Sequence, residues 1–145
     1  MGHHTKDKGD LAVLQIAAEC AKQGYLVLFP ATEHAAFDLV VFKENRFSRI
    51  QCKHKKISRG TLSVTNQSVW NDKHGTHVKK ASTNAFEAFG VYCPDTGKCY
   101  FIRYELKEGE EYFHKTLRTE HPKNNQKQGV SMADDFTSLE KALSS

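Results

Sequence analysis

The stretch Phe37-Asp38-Leu39-Val40-Val41-Phe42-Lys43-Glu44-Asn45-Arg46-Phe47-Ser48-Arg49-Ile50-Gln51-Cys52-Lys53 decides how the chain is read. Phe37 to Phe42 is an apolar, β-rich run, Glu44-Asn45 makes a turn, and Phe47 to Lys53 is a second run. If the two runs pair through that turn, Asp38 and the Gln51–Lys53 segment meet at one end of a sheet. Side chains alternate across a strand, so Gln51 and Lys53 share one face while Cys52 points to the other. The backbone carbonyl of Cys52 stays available. A carboxylate, an amide oxygen, a carbonyl oxygen and an ammonium are thereby gathered in a small space.

Oxygen donors with one carboxylate, completed by waters and a phosphate, suit Mg²⁺. Such an ion neutralises a scissile phosphate and lowers the pKa of a bound water, which Lys53 could orient or deprotonate. Asp38 beside apolar Leu39-Val40-Val41 calls for a cation, because burying a lone carboxylate is costly. The plainer alternative is a structural Asp38–Lys53 salt bridge.

Working outward, Asp7 to Gln23 reads as a helix. Leu11, Leu14, Ala18 and Ala21 recur at helical spacing, and Val13, Ile16, Ala17 and Cys20 widen the apolar face. Asp7 and Asp10 suit the positive helix end, and Gly24 supplies the stop. Tyr25 to Phe29 reads as a strand ended by Pro30, and Thr61 to Thr65 as a further, shorter strand. From there to Lys80 the chain is polar, holding Trp70 and several histidines without a clear period. Phe89 to Cys93 and Cys99 to Tyr104 form a hairpin with Gly97 at its turn. Pro122 to Gly129 reads as a polar loop. Asp134 to Leu143 reads as a short helix with Phe136, Leu139 and Leu143 on one side. No repeat, linker or second domain is visible, so residues 1–145 are expected to form one α/β domain.

The formal net charge is +4, and its placement is more informative than its size. Lys43, Arg46, Arg49, Lys53, Lys55, Lys56 and Arg59 face one acid, Glu44, within the same stretch. Lys73, His74, His77, Lys79 and Lys80 extend the basic character, as a phosphate-backbone partner would require. A solvated charged face would look the same. No apolar run approaches the roughly 20 residues of a membrane span, and the polar start is not a secretory signal. A cytoplasmic setting follows, with Cys20, Cys52, Cys93 and Cys99 as reduced thiols. Cys93 and Cys99 could face each other across their hairpin as half a zinc site, but no second ligand pair follows. His54, His74 and His77 invite a histidine-metal nuclease, yet lack the pattern with an adjacent asparagine.

The order of helix, Gly24-Tyr25, strand, Pro30, Phe37-Asp38-Leu39-Val40-Val41 and Arg49-Ile50-Gln51-Cys52-Lys53 resembles the PD-(D/E)xK nuclease superfamily. Within it, the chain is similar to the group I intron homing-endonuclease-like branch, where glutamine replaces the acid of the xK motif. It resembles the archaeal Holliday junction resolvases more distantly. Lys8-Gly9-Asp10-Leu11-Ala12, Gly90-Val91-Tyr92 and Asn124-Asn125-Gln126 also resemble the homing branch.

The resemblance implies a restriction-endonuclease-like core, an N-terminal helix on a central mixed sheet with flanking helices. It implies catalytic Asp38, Gln51 and Lys53, with Asp38, Gln51 and the Cys52 carbonyl on Mg²⁺, and Mn²⁺ as its substitute. Relatives often carry a glutamate on the first helix where this chain has Val13; Asp10 or Glu33 could stand in as a further ligand. Duplex or branched DNA would be the substrate, in a prokaryotic or phage-like setting, with a homodimer or higher homo-oligomer cutting both strands. Lys55, Lys56, Arg59 and Lys73 would contact phosphates, and Trp70, Asn66, Gln67 and Asn71 a groove. With few anionic ligands, the alternative is a catalytically degenerate DNA-binding module on the nuclease scaffold.

Overall fold

Glu44 and Asn45 both adopt left-handed backbone, with φ of 53° and 64°, the conformation of a two-residue hairpin turn matched to strand twist. They join β2 (Leu39–Lys43) to β3 (Arg46–His54) in antiparallel register, from Lys43 opposite Arg46 to Leu39 opposite Ile50. The computed structural model describes residues 4–82, 84–121 and 129–144, and side chains from residue 7 onward. Asn124-Asn125-Gln126 lies outside the described residues.

The main sheet has the order β1-β2-β3-β7-β8, with β1 at Leu26–Leu28, β7 at Ala88–Cys93 and β8 at Lys98–Arg103. It is mixed: β3 and β7 run parallel and the other neighbours antiparallel. Alternation along the strands supplies one core on each face. Leu39, Val41, Ile50, Ala88 and Phe101 meet helices α1 (His4–Lys22) and α2 (Leu139–Leu143) on one side. Phe89, Val91, Tyr100 and Ile102 meet β4 (Thr61–Thr65) and β9 (His114–Arg118) on the other, and these two strands pair as a small sheet.

The helix rotates differently from the expected apolar stripe. Ala12, Ile16 and Cys20 are buried, whereas Leu11 and Leu14 are exposed. The cause is Gly90 on β7: a Cβ there would lie 2.7 Å from Ile16 Cγ2 and 3.2 Å from Ile50 Cγ2. The missing side chain makes the hollow that Ile16 fills, and this seat fixes the rotation that spacing alone left open.

Four further readings change. The polar stretch before Lys80 is a hairpin, β5 (Gln67–Asp72) and β6 (Gly75–Lys80), hydrogen-bonded as a strand pair only with itself among the described residues. β9 carried no strand reading at all. The expected Asp134–Leu143 helix is divided into a 3₁₀ turn, Ala133–Phe136, and α2. Gln23 holds the break open: its Nε2 donates to Thr137 O and its Oε1 accepts from Leu139 N–H, both at 2.9 Å. Cys93 and Cys99 do not face each other, because Tyr92 is opposite Cys99 and the two cysteines enter opposite cores. The half zinc site is therefore not formed.

Candidate active site

β2 begins at Leu39, so the amide of Cys52 extends beyond the last paired residues and needs another acceptor. Asp38 supplies it. The Asp38 N–H donates to Ile50 O at 2.9 Å, and the Cys52 N–H donates to Asp38 Oδ2 at 2.7 Å. One carboxylate oxygen is thus engaged and the other left for a second partner. In a strand, the N–H and C=O of one residue point to the same side. The Cys52 carbonyl therefore points toward the Asp38 side, and among the described residues no backbone N–H outside the regular ladders reaches it.

On the face away from α1, Gln51 and Lys53 line a cleft of about 200 Å³ with Asn66, Ser68, Lys79 and Phe89 among its walls. Among the described residues, no acidic side chain lines it. Burial pushes the Asp38 carboxyl above its usual range, against the pull of the Cys52 N–H and the Lys53 charge. Burial and the nearby Lys55 charge draw the Lys53 ammonium below its usual range, with Asp38 opposing. The two feel each other's charge but form no ion pair within 4.0 Å among the described residues, so the plain salt bridge is not what is built. The Cys52 thiol lies on the helix side, where burial pushes it well above the thiol range and leaves it protonated.

A family model described as PD-(D/E)XK endonuclease matches residues 3–139. The chain belongs to that family. No curated protein matches it at a significant level. Among solved structures, a bacterial homing endonuclease, I-Ssp6803I, superposes with a TM-score of 0.65 at 19% identity, covering 92% of this chain and 88% of that one. That likeness establishes the fold: a restriction-endonuclease-like core of helix on mixed sheet.

In this PD-(D/E)XK endonuclease, Phe37-Asp38 and Gln51-Cys52-Lys53 occupy adjoining strand ends, as the paired-strand reading expects. The free Asp38 oxygen and the Cys52 carbonyl share this corner, and the Gln51 amide lines the cleft on the neighbouring face of β3; these are oxygen donors of three kinds. They fit a hard divalent cation that takes the rest of its shell from water and phosphate. Among the described residues no group of three or more His, Cys, Asp or Glu is gathered as a metal site. Asp10 and Glu33 are exposed, and neither is among the charges acting on Asp38. Val13 packs against the helix-side core. Among the described residues, no second carboxylate is among the charges acting on Asp38.

The basic residues divide into two sets. Arg49 is committed to Glu87, with Nη2 at 2.8 Å from Oε2, and Lys43 lies over the Tyr25 ring. Lys56, Arg59 and Lys73 are exposed, and Lys55 is half-buried beside Lys53. Trp70 is 46% exposed and stacks on His77 across the β5–β6 hairpin. Asn66 cannot reach a groove, because it is only 4% exposed and its side chain is consumed internally. Its Nδ2 donates to Glu111 O at 2.9 Å and to Ala81 O and Tyr104 Oη at 3.1 Å, while its Oδ1 accepts from Phe113 N–H.

Sequence reading missed that the hairpin base, Ser68 and Lys79, lines the same cleft as Gln51 and Lys53. A signal was present: Asp72-Lys73-His74-Gly75 puts Asp and Gly at the first and fourth positions of a turn. Asp72 Oδ1 accepts from the His74 N–H at 2.7 Å, and Gly75 takes a φ of 113° that a side chain would resist.

Proposed function

We propose that this family member is a metal-dependent DNA endonuclease, hydrolysing phosphodiester bonds in duplex or branched DNA, with Asp38, Gln51 and Lys53 as its catalytic residues. The observation carrying the reading is the Cys52 N–H fixed on Asp38 Oδ2. That bond holds the carboxylate in one orientation and presents its second oxygen together with the Cys52 carbonyl. Mg²⁺ held by Asp38, the Cys52 carbonyl and Gln51 would supply Lewis-acid chemistry toward the scissile phosphate, and Mn²⁺ would substitute. Lys53 stands on the same strand face as Gln51 and donates hydrogen bonds to a phosphate oxygen as charge builds there. Its depressed proton affinity also suits it to hold the attacking water. The exposed Lys56, Arg59 and Lys73, with half-buried Lys55, neutralise backbone phosphates, and Trp70 contributes an aromatic face.

Lys53→Ala should abolish Mg²⁺-dependent cleavage, by at least about 100-fold, while leaving DNA affinity within about threefold. Full activity in that variant would sink the assignment. One observation favours a second reading, a DNA-binding module without turnover: among the described residues, no acidic side chain is among the charges acting on Asp38. Absence of cleavage by the unmodified protein on duplex, junction and single-stranded DNA, with Mg²⁺ and with Mn²⁺, would establish that reading instead.

A further inference from the structure

The β5–β6 hairpin presents two different faces, and the register assigns each residue to one of them. Ser68 opposite Lys79 and Trp70 opposite His77 share a face; Val69 opposite Val78 and Gln67 opposite Lys80 share the other. Ser68 and Lys79 line the cleft that holds Gln51 and Lys53. The Trp70–His77 stack lies two residues further along that same face, a step of about 7 Å along a strand. A continuous track therefore leads from the cleft, past Lys79, to an aromatic platform. The cleft walls carry two lysines and no acid, and no ion pair within 4.0 Å engages Lys79 among the described residues. Lys80, one residue on, sits on the opposite face with its Nζ 4.0 Å from Glu111 Oε2.

Resting on the nuclease reading, we propose that Lys79 is a positioning residue that binds the backbone phosphate next to the scissile one. It holds the DNA strand between the hairpin and the Gln51–Lys53 edge. An extended strand spaces its phosphates by several ångströms, so a strand bound at Lys79 continues along the same cleft to the Gln51–Lys53 edge. Lys53 acts on the phosphate that is cut, and Lys79 holds the strand by its neighbour.

The test uses the full chain with a fluorescent four-way junction and its matched duplex, comparing Lys79→Ala, Lys79→Arg and Lys80→Ala. Lys79→Ala should weaken metal-free binding about tenfold and reduce the slope of log affinity against log salt by about 1. In cleavage, KM should rise by the same factor while kcat changes less than about twofold. Lys79→Arg should restore the salt slope, and Lys80→Ala should change neither quantity by more than about twofold. Thermal melting of each variant separates these effects from loss of fold. Identical behaviour of Lys79→Ala and Lys80→Ala would overturn the inference, while cleavage that still requires Lys53 would leave the nuclease reading standing. A protein that binds but never cuts would defeat that reading and still report Lys79 through the salt slope. Failure to bind either DNA would overturn both.

Discussion

On the proposed nuclease reading, Asp38 serves the fold and the chemistry at once, and at a cost. Its Oδ2 completes the sheet by accepting the Cys52 N–H, yet burial leaves its charged form less favourable than in water. The folded state therefore binds this proton more tightly than the unfolded chain, and stability falls as pH rises through the raised pKa. Asp38→Asn keeps an acceptor for Cys52 and removes the charge. The metal-free variant should melt higher than the parent at neutral pH, on the order of 2 °C, with the gap closing in acid as the parent's Asp38 protonates. A gap that persists unchanged into acid would contradict this account. The same substitution should abolish cleavage, an instance of a site held against stability.

At the scale of elements, the seat of α1 on β7 is the contact most sensitive to a single atom group. Gly90→Ala would place a methyl 2.7 Å from Ile16 Cγ2, so helix or sheet must shift, costing about 1–3 kcal/mol. A melting-temperature loss no larger than that of an exposed control, such as Leu14→Ala, would show the seat to be loose. This contact also marks the limit of what the sequence made legible. The β2–β3 hairpin could be read because Glu44-Asn45, two apolar runs and Asp38 all agree on one register. Helix rotation could not, since it depends on a glycine far along the chain. The β5–β6 hairpin could not be found by burial pattern, because Val69, Trp70 and Val78 are exposed on both of its faces. Asn66 read as a groove contact because amides serve both purposes; only its buried partners distinguish a structural amide from a binding one. The proposed site rests on Asp38, Gln51 and Lys53, which the sequence pattern singles out, whereas Lys79 belongs to an element the pattern does not reveal.

Among the described residues the five-stranded sheet carries a core on each face, with the Gln51–Lys53 cleft on the face away from α1. Among the described residues no helix is long and apolar enough to cross a membrane. One cleft per chain acts on one strand, so cutting both strands requires a second copy, and a homodimer or larger homo-oligomer is the assembly proposed. Supercoiled plasmid should then linearise with a rate that rises with protein concentration, and light scattering should give multiples of 16.4 kDa. Concentration-independent linearisation at the monomer mass would exclude that assembly. The β5–β6 hairpin pairs as strands with no other part of the described molecule, and Asn66, with its internal bonds, marks where it leaves the core. Its outer residues are therefore free of the packing demands that constrain the five-stranded sheet. Substitutions, or a two-residue lengthening in register, could accumulate there without disturbing Asp38 or Lys53. On the proposed DNA-endonuclease reading, target preference can drift at the hairpin while Asp38 and Lys53 stay as they are, making the hairpin the segment to exchange when retargeting the protein.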